Sequence, residues 1–219
     1  MNHRESKPAF VIGVTGYMDI PSIDQPIIAD RLRSVFRWLR RDPTRMPEDQ
    51  DPPAWWPPID PAGLGLGQSR IVLLTSLAPG ADTIAAQIAL DEGIEVIAPL
   101  PFPPEIYRSS SSFCGERVAA GAQQVFDDLI AGKSGHIDSF PVLLHTDQEL
   151  DDETRTEAYR ADLDDSERCN LRYRASGEFV AAHSHLLLAL YDAADDLASG
   201  LETGAGTGSI VHVRRGVPS

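Results

Sequence analysis

Short apolar runs alternate with longer amphipathic stretches along most of this chain. The runs are PAFVIGVTG (8–16), RIVLLTS (70–76), IEVIAPL (94–100), FPVLLH (140–145) and HLLLALYD (185–192). Each is short, rich in leucine or β-branched residues and nearly all apolar, which is typical of strands buried on both faces of a sheet. We therefore predict five strands.

The stretches between these runs predict helices. The first is expected within 21–41, where apolar residues recur at the spacing of one helix face: Ile28, Leu32, Val35, Phe36 and Leu39. Further helices are expected at 80–92, near 114–131 and over most of 156–184. A glycine turn is expected to open a last short helix within 204–216.

Strands that alternate with helices favour a parallel sheet covered on both faces. The predicted fold class is α/β, a three-layer Rossmann-like fold with a mainly parallel central sheet, in one domain over 1–219. Segment 42–69 is rich in proline, glycine and acidic residues, so we interpret it as a long loop or insertion. The ending RRGVPS resembles a helix end before another strand, and we expect an N-terminal part of a longer protein.

Composition narrows the classes of partner. The formal net charge is −14, and a uniformly acidic surface repels phosphate backbones, so no nucleic-acid partner is expected. Cys114 and Cys169 form neither a metal-ligand pattern nor a disulfide framework, which fits reduced cysteines in the cytoplasm. No run approaches the ~20 apolar residues of a membrane span.

Three glycine- or serine-bearing turns are expected at the carboxyl edge of the sheet, where ligands of such folds bind. They are Gly13–Gly16, Ser76–Asp82 and Gly204–Ser209. Backbone N–H groups, hydroxyls and helix N-termini would together form a cradle for phosphate. Each also has a plainer interpretation: a tight turn, a helix start whose acid complements the helix dipole, and a flexible linker. No dinucleotide-binding fingerprint or P-loop is present.

Five motifs in this order resemble the SLOG superfamily, a Rossmann-like group that includes the Lonely Guy phosphoribohydrolases, DNA-processing protein A and the N-terminal region of melastatin-type TRP channels. The motifs are GVTGYMD, SLAPGADTIAAQIAL, VIAPLPFPPEIY, YRASGEFVAAHSHLLLALYD and GAGTGSIV. The resemblance implies a nucleotide-derived ligand at the strand ends and requires no other cofactor. It covers nearly the whole chain except 42–69.

The resemblance also implies which residues contact the ligand. Beneath it would lie the first turn: Gly13, Thr15, Gly16 and Tyr17. A second wall would comprise Ser76, Ala78, Gly80, Ala81 and Asp82. The base or ribose would be flanked by Leu100, Pro101 and Phe102. Phosphate would be held by Gly206, Thr207 and Gly208. Tyr173 and Arg174 would stack on the base or pair with phosphate, and Glu178 would accept a hydrogen bond from the ribose. Asp192, at the end of the fifth strand, is a further ribose acceptor or a turn cap.

Two departures from the family pattern bear on function. Tyr17 and Met18 stand where many relatives carry His-Arg, so a basic anion contact is missing. No glutamate follows the last glycine turn, although cleavage of a glycosidic bond calls for a nearby carboxylate. We therefore expect binding without turnover. An alternative keeps a catalytic carboxylate in Asp82 or Glu178.

The expected function is a sensor domain that recognises a nucleotide second messenger or NAD-derived metabolite. It would regulate a fused or associated effector in bacterial signalling or defence, as a homo-oligomer. The alternative is a nucleoside-monophosphate phosphoribohydrolase or nucleotide glycohydrolase. A DNA-binding role is a third interpretation, which the net charge opposes.

Other residues attract plainer interpretations. His183 and His185 could ligate a metal, but no Cys or acid joins them at suitable spacing, so no metal site is expected. Trp55 and Trp56 mark either a partner contact or packing of the insertion. The acidic run 147–153 is expected to be a solvated loop. The serine loop 107–113 is expected to be flexible, as a lid or a connector.

Overall fold

The central sheet has five strands, and all of them are parallel. A computed structural model describes residues 8–40, 69–114 and 118–190. Its strands are β1 (Ala9–Gly16), β2 (Arg70–Leu74), β3 (Glu95–Leu100), β4 (Ile137–Pro141) and β5 (Leu186–Leu190). Their spatial order is β4-β3-β2-β1-β5. The predicted α/β class and parallel sheet are confirmed.

Helices cover both faces of this sheet. They are α1 (Gln25–Arg40), α2 (Ala81–Asp91), α3 (Pro104–Tyr107), α4 (Ser111–Cys114), α5 (Ala122–Ile130), α6 (Asp152–Asp164) and α7 (Ser166–His183). The connections from β1 to β4 all progress in one direction, so right-handed crossovers place α1, α2 and α5 on one face. The return to β5 places α6 and α7 on the other. In the described ranges no helix is long and apolar enough to cross a membrane.

The core forms where the apolar pattern predicts it. Ile12, Val14 and Leu73 of the sheet are almost fully buried, and α1 packs its predicted face inward through Leu32 and Phe36. The hydrophobic cluster continues across β3 to the aromatic rings of α3 and α5. Burial of this apolar face, more than helix propensity, stabilises each helix in place.

Three predicted boundaries are wrong. The fourth strand is Ile137–Pro141 rather than 140–145, because pairing with β3 is decisive at this sheet edge and only Ile137 is deeply buried. Of the helix expected near 114–131, the described residues from 118 onward form only α5, which begins after Gly121; that glycine has a left-handed conformation. The helix within 156–184 is two helices, divided at Asp165, whose carboxylate caps α7.

A buried ion cluster joins α6, α7 and the segment after β4. The guanidinium of Arg172 is fully buried and donates to Asp147 at 2.8 Å and to Asp162 at 2.7 Å. Burial alone would raise the pKa of Asp147, but hydrogen bonds from Arg172 and the Leu144 N–H outweigh it and hold that pKa below its ordinary value. Arg172 also lies over the ring of Tyr159, 4.3 Å from its centroid.

This cluster corrects the expectation of a solvated acidic loop over 147–153 at one position, Asp147, whereas the other acidic side chains of the run are exposed. Asp147 is only 1% exposed, and Asp151 caps α6 by accepting from the Thr154 N–H at 2.8 Å. The run is therefore acidic at these two positions for structural reasons: one carboxylate neutralises a buried arginine, and the other satisfies a helix N-terminus.

Removing Arg172 should destabilise the protein strongly. Arg172→Met leaves Asp147 and Asp162 buried without their shared partner, which typically costs about 3–5 kcal/mol. The matched control is Arg174→Met, because Arg174 is exposed and forms only a surface pair with Glu178, worth about 1 kcal/mol or less. Urea unfolding at pH 7 measures both. Equal losses in the two variants would contradict a structural role for the cluster.

Candidate functional site at the carboxyl edge of the sheet

The chain reverses its direction of progress across the sheet at β1. Strands β2, β3 and β4 lie on one side of β1, and β5 lies on the other. In open parallel sheets such a reversal opens the crevice in which ligands bind. At this edge Gly16, Tyr17 and Ser76 are partly exposed, and the Met18 side chain is 46% exposed.

The turn after β1 packs directly on the N-terminus of α2. The Ala81 N–H donates to the Tyr17 carbonyl at 3.1 Å, and the Tyr17 N–H donates to the Leu190 carbonyl at 3.1 Å. Gly80 has φ +86°, and a Cβ there would lie 2.5 Å from the carbonyl oxygens of Tyr17 and Met18. The small residues of this turn thus let the chain approach its own backbone.

Two other glycines of the predicted turns are also small because neighbouring atoms of the protein leave no space for a side chain. A Cβ on Gly16 would lie 2.5 Å from the Ala81 Cβ and 2.6 Å from the Leu190 carbonyl oxygen. A Cβ on Gly13 would lie 2.9 Å from the side chain of Ser184, at the start of β5. Thr15 is 7% exposed. Gly13 and Thr15 therefore lie in the sheet, whereas Gly16 and Tyr17 reach its edge.

Asp82 organises the turn between β2 and α2. Its carboxylate is buried, and this burial raises the pKa of Asp82 to about 7. Hydrogen bonding from Thr75 and from the backbone of Ser76 and Ala78 opposes the shift. The turn also holds Leu77, fully buried, at φ +54°, a left-handed conformation that is uncommon for leucine. One carboxylate therefore fixes a strained turn.

Three backbone N–H groups of this turn are used inside the chain. The Thr75 N–H donates to the Ile97 carbonyl, the Ala81 N–H to the Tyr17 carbonyl and the Leu77 N–H to the Thr75 hydroxyl. Pro79 has no N–H group. A phosphate needs several free donors. The phosphate cradle expected at the Ser76–Asp82 turn therefore stays a prediction, with part of its donors already in use.

Ser76 belongs to a directed chain of hydroxyl groups. Its Oγ lies 2.7 Å from the Oγ of Ser176 on α7, and the Ser176 hydroxyl donates to the Pro99 carbonyl at 2.7 Å. Ser176 is 1% exposed, whereas Ser76 is partly exposed. The chain connects the ends of β2 and β3 to α7. Sequence reasoning did not find Ser176, because a serine inside a helix carries no signal of its partners.

The residues after β3 are core rather than a ligand wall. Leu100 and Phe102 are fully buried, and Pro101 is buried with them. Tyr173 packs its ring edge-to-face against Phe102, and its hydroxyl accepts from Ser112 at 2.9 Å. Burial raises the pKa of the Tyr173 phenol, and the hydrogen bond with Ser112 opposes this shift. Stacking on a base is therefore not supported for Tyr173.

The serine segment is likewise not the flexible loop expected over 107–113. It lies in α3 and α4 and in the turn between them, and Tyr107, Ser112 and Phe113 are buried. The rings of Tyr107 and Phe113 meet edge-to-face, 5.0 Å apart. The four consecutive serines lie between these two aromatic anchors, so the segment closes the core beneath β3.

The remaining predicted site residues are not gathered at the edge, or lie outside the described ranges. Arg174 and Glu178 pair with each other at 3.6 Å on the exposed side of α7. Asp192, Gly206, Thr207 and Gly208 lie outside the described residues, as do Trp55 and Trp56.

The two histidines next to β5 make local contacts. His183 stacks on Phe179 at 4.0 Å, and His185 stacks on Phe10 and accepts from the Val11 N–H at 2.9 Å. Across the part of the chain that the structure describes, no group of three His, Cys, Asp or Glu residues could hold a metal ion.

Comparisons with known proteins identify no relative. No family model, no curated protein and no solved structure matches this chain. The function must therefore be argued from the fold and from the contacts at the sheet edge.

Gly80→Ala should be much more destabilising than Gly121→Ala. Both glycines precede a helix with nearly the same φ, +86° and +89°, but a Cβ at Gly121 meets nothing within 4 Å. Gly121, at ψ 0°, is in the left-handed region, where an alanine costs about 1–2 kcal/mol. Gly80 has ψ −120°, a region that is essentially restricted to glycine, so the backbone cost there is at least as large. Overlap with the Tyr17 and Met18 carbonyls should add about 1–3 kcal/mol in Gly80→Ala alone. Urea unfolding checks the difference, and indistinguishable midpoints would refute the close approach.

The free energy of unfolding should depend on pH through the titration of Asp82. A pKa raised from 3.8 to about 7 means that the folded state binds a proton more tightly than the unfolded state. Asp82 therefore contributes stability below pH 3.8, which is lost as the pH rises toward 7. Relative to the non-titrating variant Asp82→Asn, the native protein should lose about 3 kcal/mol between pH 4 and 7.

Chemical unfolding of both proteins across this pH range measures that difference. Tyr107, which interacts electrostatically with Asp82, stays neutral throughout because burial raises the pKa of its phenol. Carboxylates with a lowered pKa, such as Asp147, contribute equally to the free energy of unfolding of both proteins, so their contribution cancels in the difference. A difference that is constant from pH 4 to 7 would show that Asp82 has an ordinary pKa.

Proposed function

We propose that this chain is a binding domain for a nucleotide-type small molecule, which it holds at the carboxyl edge of β1 and β2 and does not hydrolyse. The observation that carries the proposal is the reversal of the parallel sheet at β1. It leaves Gly16, Tyr17, Ser76 and Ala78 partly exposed at one edge. As a sensor, the domain would pass the binding event to a partner or fused effector.

The contacts at this edge favour a particular ligand orientation. At this edge the hydroxyl of the partly exposed Ser76 is hydrogen-bonded to Ser176, and we place the sugar or base of the ligand next to it. We assign the phosphate to Gly206, Thr207 and Gly208, which lie outside the described residues. The net charge of −14 also favours a small ligand over a nucleic acid.

The hydrolase alternative receives less support from the carboxylates proposed for it. A ribosyl cation needs a carboxylate within contact distance. Asp82 is 5% exposed, and its oxygens accept three hydrogen bonds from its own turn. Glu178 pairs with Arg174 on the outer side of α7. We therefore propose binding without turnover.

A thermal-shift screen tests the proposal. The panel comprises AMP, ADP-ribose, cyclic ADP-ribose isomers, cyclic di- and trinucleotides and NAD, with each ligand checked by chromatography afterwards. A ligand present at 100 times its Kd stabilises by about 2.7 kcal/mol, which is about 5–10 °C for a chain of this size. The expected result is a shift with one class of nucleotide, recovered intact.

Matched variants localise the binding. Ala78→Gln places a longer side chain on the partly exposed edge, and Ala131→Gln places it at the exposed C-cap of α5. The first should abolish the ligand-induced shift while the second retains it, with both unliganded midpoints unchanged. Recovery of free base would favour the hydrolase, and no shift with any nucleotide would overturn the proposal.

A further inference from the structure

The direction of the hydrogen bonds around Ser76 can be deduced from the last acceptor in the series Ser76–Ser176–Pro99. The Pro99 oxygen is a carbonyl and can only accept, so the single hydroxyl proton of Ser176 is used there. The Ser176 oxygen must then accept across the 2.7 Å contact, and the proton in that contact belongs to Ser76. Ser76 is the donor of this pair.

The Ser76 hydroxyl has therefore used its only proton, which is held by the Ser176 oxygen 2.7 Å away. What remains on this hydroxyl is the oxygen, whose lone pairs can only accept. Thr75 and Leu77 on either side are buried, whereas Ser76 is partly exposed at the edge.

We propose that Ser76 is a specificity-determining residue that accepts a hydrogen bond from the ligand, and that Ser176 is the positioning residue that makes it an acceptor. The inference rests on the proposed function and deepens it. The ligand must present a donor at this point, which in a nucleotide is a ribose hydroxyl or an exocyclic amine. A phosphate oxygen there would face an oxygen with no proton to offer.

Calorimetric titration of four probes distinguishes a ribose hydroxyl from an exocyclic amine as the donor. The probes are AMP, 2′-deoxy-AMP, 3′-deoxy-AMP and IMP. The native protein should lose about fivefold to tenfold in affinity for the probe that lacks the relevant hydroxyl or amine, as expected for one hydrogen bond. Ser76→Ala should bind all four equally weakly. Equal affinities of the native protein for all four, or an unchanged preference in Ser76→Ala, would overturn the inference.

Ser176→Ala tests the positioning role in the same titration. Without Ser176 the Ser76 hydroxyl proton is released, so Ser76 can donate as well as accept. The preference for the probe with the donor should then fall at least threefold, an effect that mere loosening of the fold would not produce. Ser34→Ala on α1, whose hydroxyl donates only to the Asp30 carbonyl, is the control and should leave the preference unchanged.

A measurement without ligand tests the direction independently of the proposed function. Ser76→Ala removes one hydrogen bond and leaves Ser176 paired with Pro99, so its melting midpoint should fall by about 2–4 °C. Ser176→Ala also leaves the buried Pro99 carbonyl without its donor and should fall by about twice as much. If no probe binds but this order holds, the proposed ligand class fails and the acceptor assignment survives. The reverse order would refute that assignment.

Discussion

The carboxylate of Asp82 is the interaction on which the functional edge of this protein depends. It is buried at the first turn of α2 and accepts from Thr75, Ser76 and Ala78, which lie ahead of it in the chain. These hydrogen bonds fix a turn that includes Leu77 at positive φ and brings Gly80 against the carbonyls of Tyr17 and Met18. Burial of this carboxyl group raises its pKa, and hydrogen bonding within the turn partly opposes that shift.

The buried arginine closes the other half of the same edge. Arg172 joins Asp147 and Asp162, and its guanidinium lies beside the rings of Phe102 and Tyr159. The ends of β3 and β4 are thereby filled by core side chains. The ends of β1 and β2 keep partly exposed residues. The division of the edge into a filled half and an open half explains why we propose a ligand next to Ser76 rather than next to Phe102.

Sequence reasoning predicted the architecture well because apolar periodicity reports burial directly. The runs containing Ile12 and Leu73 are buried strands, and the face of α1 through Phe36 packs inward. It failed where burial contradicts the usual behaviour of a residue type. Charged residues are mostly exposed, so Asp147 and Arg172 carried no signal of their pairing across 25 positions. Small residues around Gly80 indicated a close approach, but not that the chain's own backbone occupies it.

The most direct test of this account is a pH titration of the carboxyl carbon of Asp82 and of the Ser76 and Ala78 amides by NMR. The account predicts one midpoint of about 7 for all three signals, because the two amides donate to the carboxylate that titrates. The amide of Gly121, which also precedes a helix, serves as the reference and should not follow that midpoint. A carboxyl carbon that titrates near pH 4, with amides that do not follow it, would contradict the central role of Asp82.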